Sequence, residues 1–567
     1  MVNRLFLAQL ASVAVLASPC KRDTSDCHVL PGDAAWPSQQ SWAQLNTTVG
    51  GKLVATVPIG SPCHDPTYDA DACDALKAQW TNPLTHIPSS HSIMQAYFAN
   101  QTCDPFSDRS IPCTLGNYVS YSVKATSPDD VIAALKFAKT KNLRTLARNT
   151  GHDFLGRSTG AGALAIWTQG LKDITVGQWS DKYYTGPTVT VGAGVIGSEL
   201  VEAANKQGLV AVSGECATVG LAGGFTQGGG HGILATQYGL AADQTLAFKV
   251  VTAEGKLLTA SATENSDLYW ALSGGGGGTY GIVTSLTVRA FPSKKVGGAA
   301  MQLLASSTTA ENYVAIRAKF LELLPTMIDS GAMVVFLFSS AYMVIKPLTV
   351  FDADEAKARE ILKPFSDYLV SLGITPPIAY SELSYRDHYA KYFGPLPQGS
   401  FEVNRYQFGG RLIPRSVVEK NTAKLASTMK ELADGGVLLA GSAGNYAKRP
   451  NTPDNAVLPA WRDAMIQLQL ITNWDSNAPW SNMEAAQQQM TNEFMPKIEA
   501  VTPGSGSYMN EADFQQPNWQ STFYGPNYAK LKSIKKKYDP QDLFYNIKSV
   551  GSEAWSVAKD GRMCRAK

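Results

Sequence analysis

A histidine and a cysteine set in glycine turns are side chains able to hold a redox cofactor, and this chain has one of each about sixty residues apart. His152 lies in Arg148-Asn149-Thr150-Gly151-His152-Asp153, and Cys216 lies in Gly214-Glu215-Cys216-Ala217-Thr218-Val219-Gly220. Glycine lets backbone N–H groups come close to a phosphate or a flat ring. An imidazole nitrogen and a thiolate are also nucleophiles, so both residues could attach such a ligand covalently. Further clusters follow at Gly223-Gly224, Gly228-Gly229-Gly230 and 274–278. One such cluster is an ordinary loop. Several within one region predict backbone packed against an extended ligand that carries a pyrophosphate.

Two competing motifs fail on context. Gly192-Ala193-Gly194-Val195-Ile196-Gly197 fits the dinucleotide fingerprint, which also needs an acid at a second strand end about 20 residues on. Glu215 has the spacing but sits in the cysteine turn, so a tight strand-to-helix turn is the better account. Gly156-Arg157-Ser158-Thr159-Gly160 fits a nucleophile elbow, which needs an apolar strand before it and an acid and a histidine after it. The histidine turn occupies the strand's place, and only His231 and His388 follow, neither in a telling context.

The elements that position these turns are readable locally. Ser127-Pro128-Asp129-Asp130 starts a helix, with Ser at the N-cap, Pro at the first position and acids in the first turn. Residues 144–148 read as a strand running into the histidine turn, and 163–167 as a second strand. Val189 and Val191 alternate into Gly192, 248–252 and 256–260 flank a Glu254-Gly255 hairpin, and 282–288 closes the region. From about Gly297 glycine thins out. Helices over 315–324 and 354–362 separate strands over 334–338 and 343–345, with Pro364 expected to end or kink the second helix.

The length of 567 residues exceeds what one core usually supports, so two domains are expected. The formal charge of +2 gives no reason to expect nucleic acid, and the basic run 532–537 reads as a solvated helix face. Arg4, the apolar stretch 5–16 and small Ala17 and Ser18 read as a secretory signal, with Lys21-Arg22 a further processing site. Sequons at Asn46 and Asn100 agree with export. Six of the eight cysteines lie in the first 113 residues. If Cys20 leaves with the signal and Cys216 serves chemistry, Cys63 pairs with Cys73 and Cys103 with Cys113, leaving Cys27 for Cys564 by parity. No CxxC pair is present and no metal site is expected.

Residues 148–160, 193–194, 214–240 and 274–284 resemble the FAD domain of the vanillyl-alcohol oxidase and p-cresol methylhydroxylase superfamily. The tail does so too, with Tyr538-Asp539-Pro540, Leu543-Phe544-Tyr545, Val550-Gly551-Ser552-Glu553 and Asp560-Gly561-Arg562. Within the superfamily the chain resembles the berberine-bridge-enzyme-like branch, and in it the fungal secreted isoamyl alcohol oxidase-like group. The resemblance implies an α+β flavoprotein with a PCMH-type FAD-binding domain and an α+β substrate domain, an antiparallel sheet with helices. The expected division is signal and pro-residues over 1–22, a disulfide-tied segment over 23–116, the FAD domain over 117–294, the substrate domain over 295–506 and a returning segment over 507–567.

The resemblance also implies roles. His152 matches the residue bonded to the flavin 8α-methyl, Cys216 the one bonded to C6, and the backbone of 149–153 the pyrophosphate cradle. Val219 matches a position where a small side chain leaves room for O2, which favours an oxidase. Further cofactor contacts are expected from Arg148, Asn149, Thr150, Gly151, Asp153, Thr218, Gly220, Gly223, Gly228, Gly281, Val283, Tyr545 and Asn546. Tyr508-Met509-Asn510-Glu511 resembles the relatives' Tyr-x-Asn-Tyr strand but has Glu511 for the second tyrosine, so Tyr508 and Glu511 both stand as candidates for the base. His388 is expected at the surface rather than in the pocket. The expectation is a secreted, monomeric oxidase with bicovalent FAD, acting on an alcohol or similar C–H donor with O2 and forming H2O2, with no nucleic-acid or membrane partner. A flavin oxidocyclase of natural-product biosynthesis and a flavin-binding protein with an idle site are the alternatives.

Overall fold

Parallel strands need a long crossover, and the first sheet is built around one. In the computed structural model, which describes residues 26–566, Ser127 caps the helix Pro128–Thr140 with a capping box completed by Asp130. The expected signal and Cys20 lie outside the described residues. That helix joins Tyr121–Lys124 to Thr145–Arg148, and both strands pair in parallel with Leu164–Trp167. Leu53–Ala55 closes the sheet antiparallel at its other edge. The turn carrying His152 therefore leaves the carboxyl end of a parallel strand, where open α/β sheets place ligands.

A five-stranded antiparallel sheet follows, in the order Ile174–Ser180, Thr185–Gly192, Ile282–Arg289, Thr245–Val251, Leu257–Ser261. The last two strands are the expected hairpin. The fingerprint-like glycines form a strand-to-helix turn into Gly197–Asn205. A Cβ on Gly192 or Gly194 would stand 2.4 Å from the carbonyl oxygen of Leu171 or Gln169, so close packing explains both glycines.

The second sheet has seven antiparallel strands, in the order Ile378–Ser384, Lys295–Leu304, Tyr342–Phe351, Ala332–Phe338, Leu438–Ala443, Ala464–Asn473, Tyr406–Pro414. One face buries Phe336, Leu439, Ile466, Leu468 and Leu470 with apolar residues of the helices Ala310–Asp329, Glu355–Ser371 and Thr422–Asp434. The other face meets the half that carries the histidine and cysteine turns: Met333 and Leu412 share a buried cluster with Val195, Phe225 and Tyr508. Pro364 does not end its helix, which runs on to Ser371. The apolar stripe continues past it through Phe365 and Leu369, and that burial outweighs one lost hydrogen bond.

The disulfides are Cys27–Cys564, Cys63–Cys73 and Cys103–Cys113, and Cys216 is free. Three further expectations are corrected. Residues 508–511 form a turn, with Glu511 N–H donating to the Tyr508 carbonyl, rather than a strand. His388 is fully buried on the helix Tyr385–Phe393 and hydrogen-bonds Thr349 of the second sheet. Lys535, in the run read as solvated, is 2% exposed because its helix packs over the 277–279 loop. No helix among the described residues is long and apolar enough to cross a membrane.

Candidate active site

Both expected attachment residues reach one hydroxyl. Thr218 Oγ1 lies 2.7 Å from His152 Nε2 and 3.5 Å from Cys216 Sγ. Buried surroundings, with help from His86 and the Arg148 guanidinium, push the His152 imidazole down to about 4, so it is neutral at pH 7. The same kind of surroundings push the half-buried Cys216 thiol up, against hydrogen bonding with Thr218 and Val219. His152 Nδ1 has no hydrogen-bond partner among the described residues. Neutral imidazole with a free ring nitrogen is the nucleophilic form.

The glycines bring three loops together around this pair. A Cβ on Gly220 would stand 2.2 Å from Asn149 Nδ2, and one on Gly277 would stand 3.1 Å from Gly224 Cα. Gly151 has φ of +96°, a left-handed conformation natural to glycine, and its missing Cβ leaves room for the Arg148 guanidinium. Asn149 donates to the Ala193 carbonyl at 2.6 Å, while its Oδ1 is buried without a partner. Asn546 donates to the Gly278 carbonyl at 2.8 Å. Asp153 accepts from the N–H groups of Leu155, Arg157 and Ser158, closing the histidine turn. Arg157 then reaches the carbonyls of Ile547 at 3.1 Å and Lys548 at 3.3 Å, tying that turn to the tail.

An acid cluster stands beside the pair. His231 Nε2 donates to both oxygens of Glu511 at 3.2 Å, and His231 Nδ1 lies 3.6 Å from Glu215 Oε1. Gln469 donates to Glu511 at 2.6 Å, and Ser442 donates to Glu215 at 2.9 Å. Burial disfavours the imidazolium, but the Glu511 and Glu215 carboxylates outweigh it and His231 is pushed up to about 10. A folded-state pKa above the ordinary 6.5 contributes stability that is fully present below that value and lost as pH rises through about 10. His231→Asn should therefore lower Tm at pH 7, with the gap to the wild-type protein closing toward pH 10. A gap independent of pH would remove the charge from His231.

Comparison with known proteins decides the family. Residues 119–261 match the FAD binding domain family, and residues 507–551 match the family described as berberine and berberine like. The chain is 48% identical over 544 residues to the FAD-linked oxidoreductase ZEB1 of Gibberella zeae, covering 96% of each protein. It is 45% identical over 546 residues to the FAD-linked oxidoreductase patO of Penicillium expansum, covering 96% of this chain and 95% of that protein. The crystal structure of the VAO-type flavoprotein MtVAO615 from Myceliophthora thermophila C1 matches with a TM-score of 0.93 at 42% identity, over 95% of this chain and 100% of that one. The chain belongs to the berberine-bridge-enzyme-like FAD oxidoreductases of the vanillyl-alcohol oxidase superfamily.

The residues present fit the FAD that a berberine-bridge-like oxidoreductase holds. Unsubstituted glycine backbone, an orphaned Asn149 Oδ1 and two convergent nucleophiles suit a phosphate-bearing flat cofactor. Arg148, Thr150, Gly151, His152, Asp153, Cys216, Thr218, Gly220, Gly223 and Asn546 gather here, with Val219 half-buried in the cysteine turn. Gly228 is close by, where a Cβ would stand 2.5 Å from Asn510 Nδ2. Gly281 and Val283 lie at the start of the strand Ile282–Arg289, Gly281 against Val250 and Val251. Tyr545 lies with the Arg144 guanidinium 5.5 Å from its ring centroid. Sequence reasoning missed His231. Its signal was present, because it follows Gly228-Gly229-Gly230 as His152 follows Gly151. Gln469 and Ser442 had no such signal, since only strand pairing brings them to the carboxylates.

Proposed function

We propose that this chain is an exported oxidase that holds FAD covalently through His152 and Cys216. It takes a hydride from the carbinol carbon of a small alcohol, with O2 as the final acceptor and H2O2 as product. The observation that supports this best is the convergence of both nucleophiles on Thr218 Oγ1, at 2.7 Å and 3.5 Å. Bound FAD supplies the hydride acceptor.

The protein's own part is proton handling and positioning. Glu511 is the base of this reading, accepting the substrate hydroxyl proton, because its carboxylate is 21% exposed while Glu215 is 9% exposed. His231 and Gln469 hold that carboxylate in place. Tyr508 is the poorer base: burial and the Glu511 charge push its phenol far up, and its hydroxyl already accepts from Asn510 at 2.8 Å. The backbone of 149–153 holds the pyrophosphate, with Asn149 and Asn546 bracing the glycine loops. Half-buried Val219 leaves room for O2. Three disulfides and the basic-then-apolar start of the chain support export.

The test is retention of flavin after denaturation, followed by peroxide detection across an alcohol panel. The wild-type protein should stay yellow when unfolded and washed. Cys216→Ala should keep flavin through His152 alone, with a shifted absorption spectrum. His152→Ala/Cys216→Ala should release all of it. Colourless wild-type protein would end the covalent reading, and an unchanged Cys216→Ala spectrum would remove the thiol from it.

A further inference from the structure

We propose that Gln467 is a substrate-recognition residue, and that the substrate is a neutral molecule with a second hydroxyl near the reacting carbinol. The substrate half of this inference rests on the oxidase reading of the Glu511 site. Gln467 is 1% exposed, and neither Nε2 nor Oε1 has a partner. Among the described residues it is the one side-chain amide with both polar atoms buried and unpaired. Buried polar groups are paired almost everywhere in folded proteins, so this amide is held ready for a partner that the chain does not supply.

Strand geometry aims it at the active site. Ile466, Leu468 and Leu470 of Ala464–Asn473 are buried against the helices, so Gln467 and Gln469 take the opposite face. Gln467 pairs directly with Ser442 on one side and Leu412 on the other. Ser442 donates to Glu215 and Gln469 donates to Glu511, and those two carboxylates flank His231. The Gln467 amide thus stands across from Ser442 and about 7 Å along its strand from Gln469, between the anchors of both acids.

The surrounding charge restricts the ligand. Two carboxylates and one imidazolium leave one net negative charge, which repels an anion. A carboxamide offers a donor and an acceptor at one point, and a hydroxyl answers both. A monofunctional alcohol uses its only hydroxyl at Glu511 and leaves the amide unpaired. A diol satisfies both groups.

The test uses flavin difference spectra of the holoenzyme, which read binding without turnover. Probes are butanol, hexanol and cyclohexylmethanol against butanediol, hexanediol and cyclohexanedimethanol, with hydroxyhexanoate as the anionic arm. The wild-type protein should bind at least one diol about tenfold tighter than its matched alcohol, the step that one net hydrogen bond supplies. Hydroxyhexanoate should bind more weakly than hexanediol. Gln467→Met should erase the diol preference while keeping flavin, and its Tm should hold or rise by about 1–2 °C because an unpaired amide is removed. A fall in Tm of more than about 3 °C would mean the amide has a structural partner, and would overturn the assignment. So would an intact diol preference in the variant, or no preference or diol binding in the wild-type protein. Preferential diol binding without bleaching of the flavin by any alcohol would overturn the oxidase reading and leave Gln467 as a recognition residue.

Discussion

Glu511→Gln is expected to slow anaerobic flavin reduction by alcohol about 10²–10⁴-fold, the usual contribution of a positioned general base. The substitution keeps the shape and most of the contacts. It removes the lone-pair charge that takes the proton. His231 then keeps only Glu215 as a charged neighbour, so its raised pKa should fall as well. The measurement is stopped-flow bleaching of the flavin, with flavin content checked first. A rate within threefold of wild type would exclude Glu511 as base and return the role to another group. Cys216 gives a check before flavin attaches: Glu511 helps raise the free thiol's pKa, so Glu511→Gln should ease thiolate formation in the flavin-free protein.

Lys535→Met is expected to cost about 3–5 kcal/mol of stability, the range for breaking a buried ion pair by removing one partner. Lys535 Nζ lies 2.5 Å from Asp539 Oδ2, with side chains 3% and 0% exposed. It also donates to the carbonyls of Thr279 at 2.9 Å and Phe544 at 2.7 Å. Asp539 in turn accepts from the N–H groups of Leu543 and Phe544 at 2.8 Å and 2.9 Å. Burial pulls the Lys535 pKa down, and the Asp539 carboxylate opposes that shift. The pair therefore joins the 277–279 glycine loop to the tail that carries Asn546. Urea unfolding measures the loss, and Lys535→Met/Asp539→Asn should recover part of it by removing the stranded carboxylate. A loss under 1 kcal/mol would mean that water already reaches the pair.

Local chemistry was legible in the sequence. Ser127 caps its helix and Glu254-Gly255 turns its hairpin because both depend on a few adjacent residues. Two of the three disulfides close between cysteines ten residues apart, and the third followed from parity. The 508–511 segment misled because a strand and a turn of that length share one composition, and packing against Gly410 decided between them. Lys535 misled because a lysine run is solvated unless a fold supplies a buried acid and two carbonyls. Pro364 misled because a continuing apolar stripe outweighed its missing donor.

By itself the sequence set His152 and Cys216 in glycine turns and paired them as candidates for one cofactor site, since residue type and backbone freedom are local properties. Only the tertiary structure decided what stands opposite them. Glu215, His231 and Glu511 come from three separate segments, and Gln467 and Gln469 arrive on a strand of the second sheet. Their meeting depends on long-range register and burial, which no local pattern encodes, and on charges that gain their meaning only from neighbours far away in the chain.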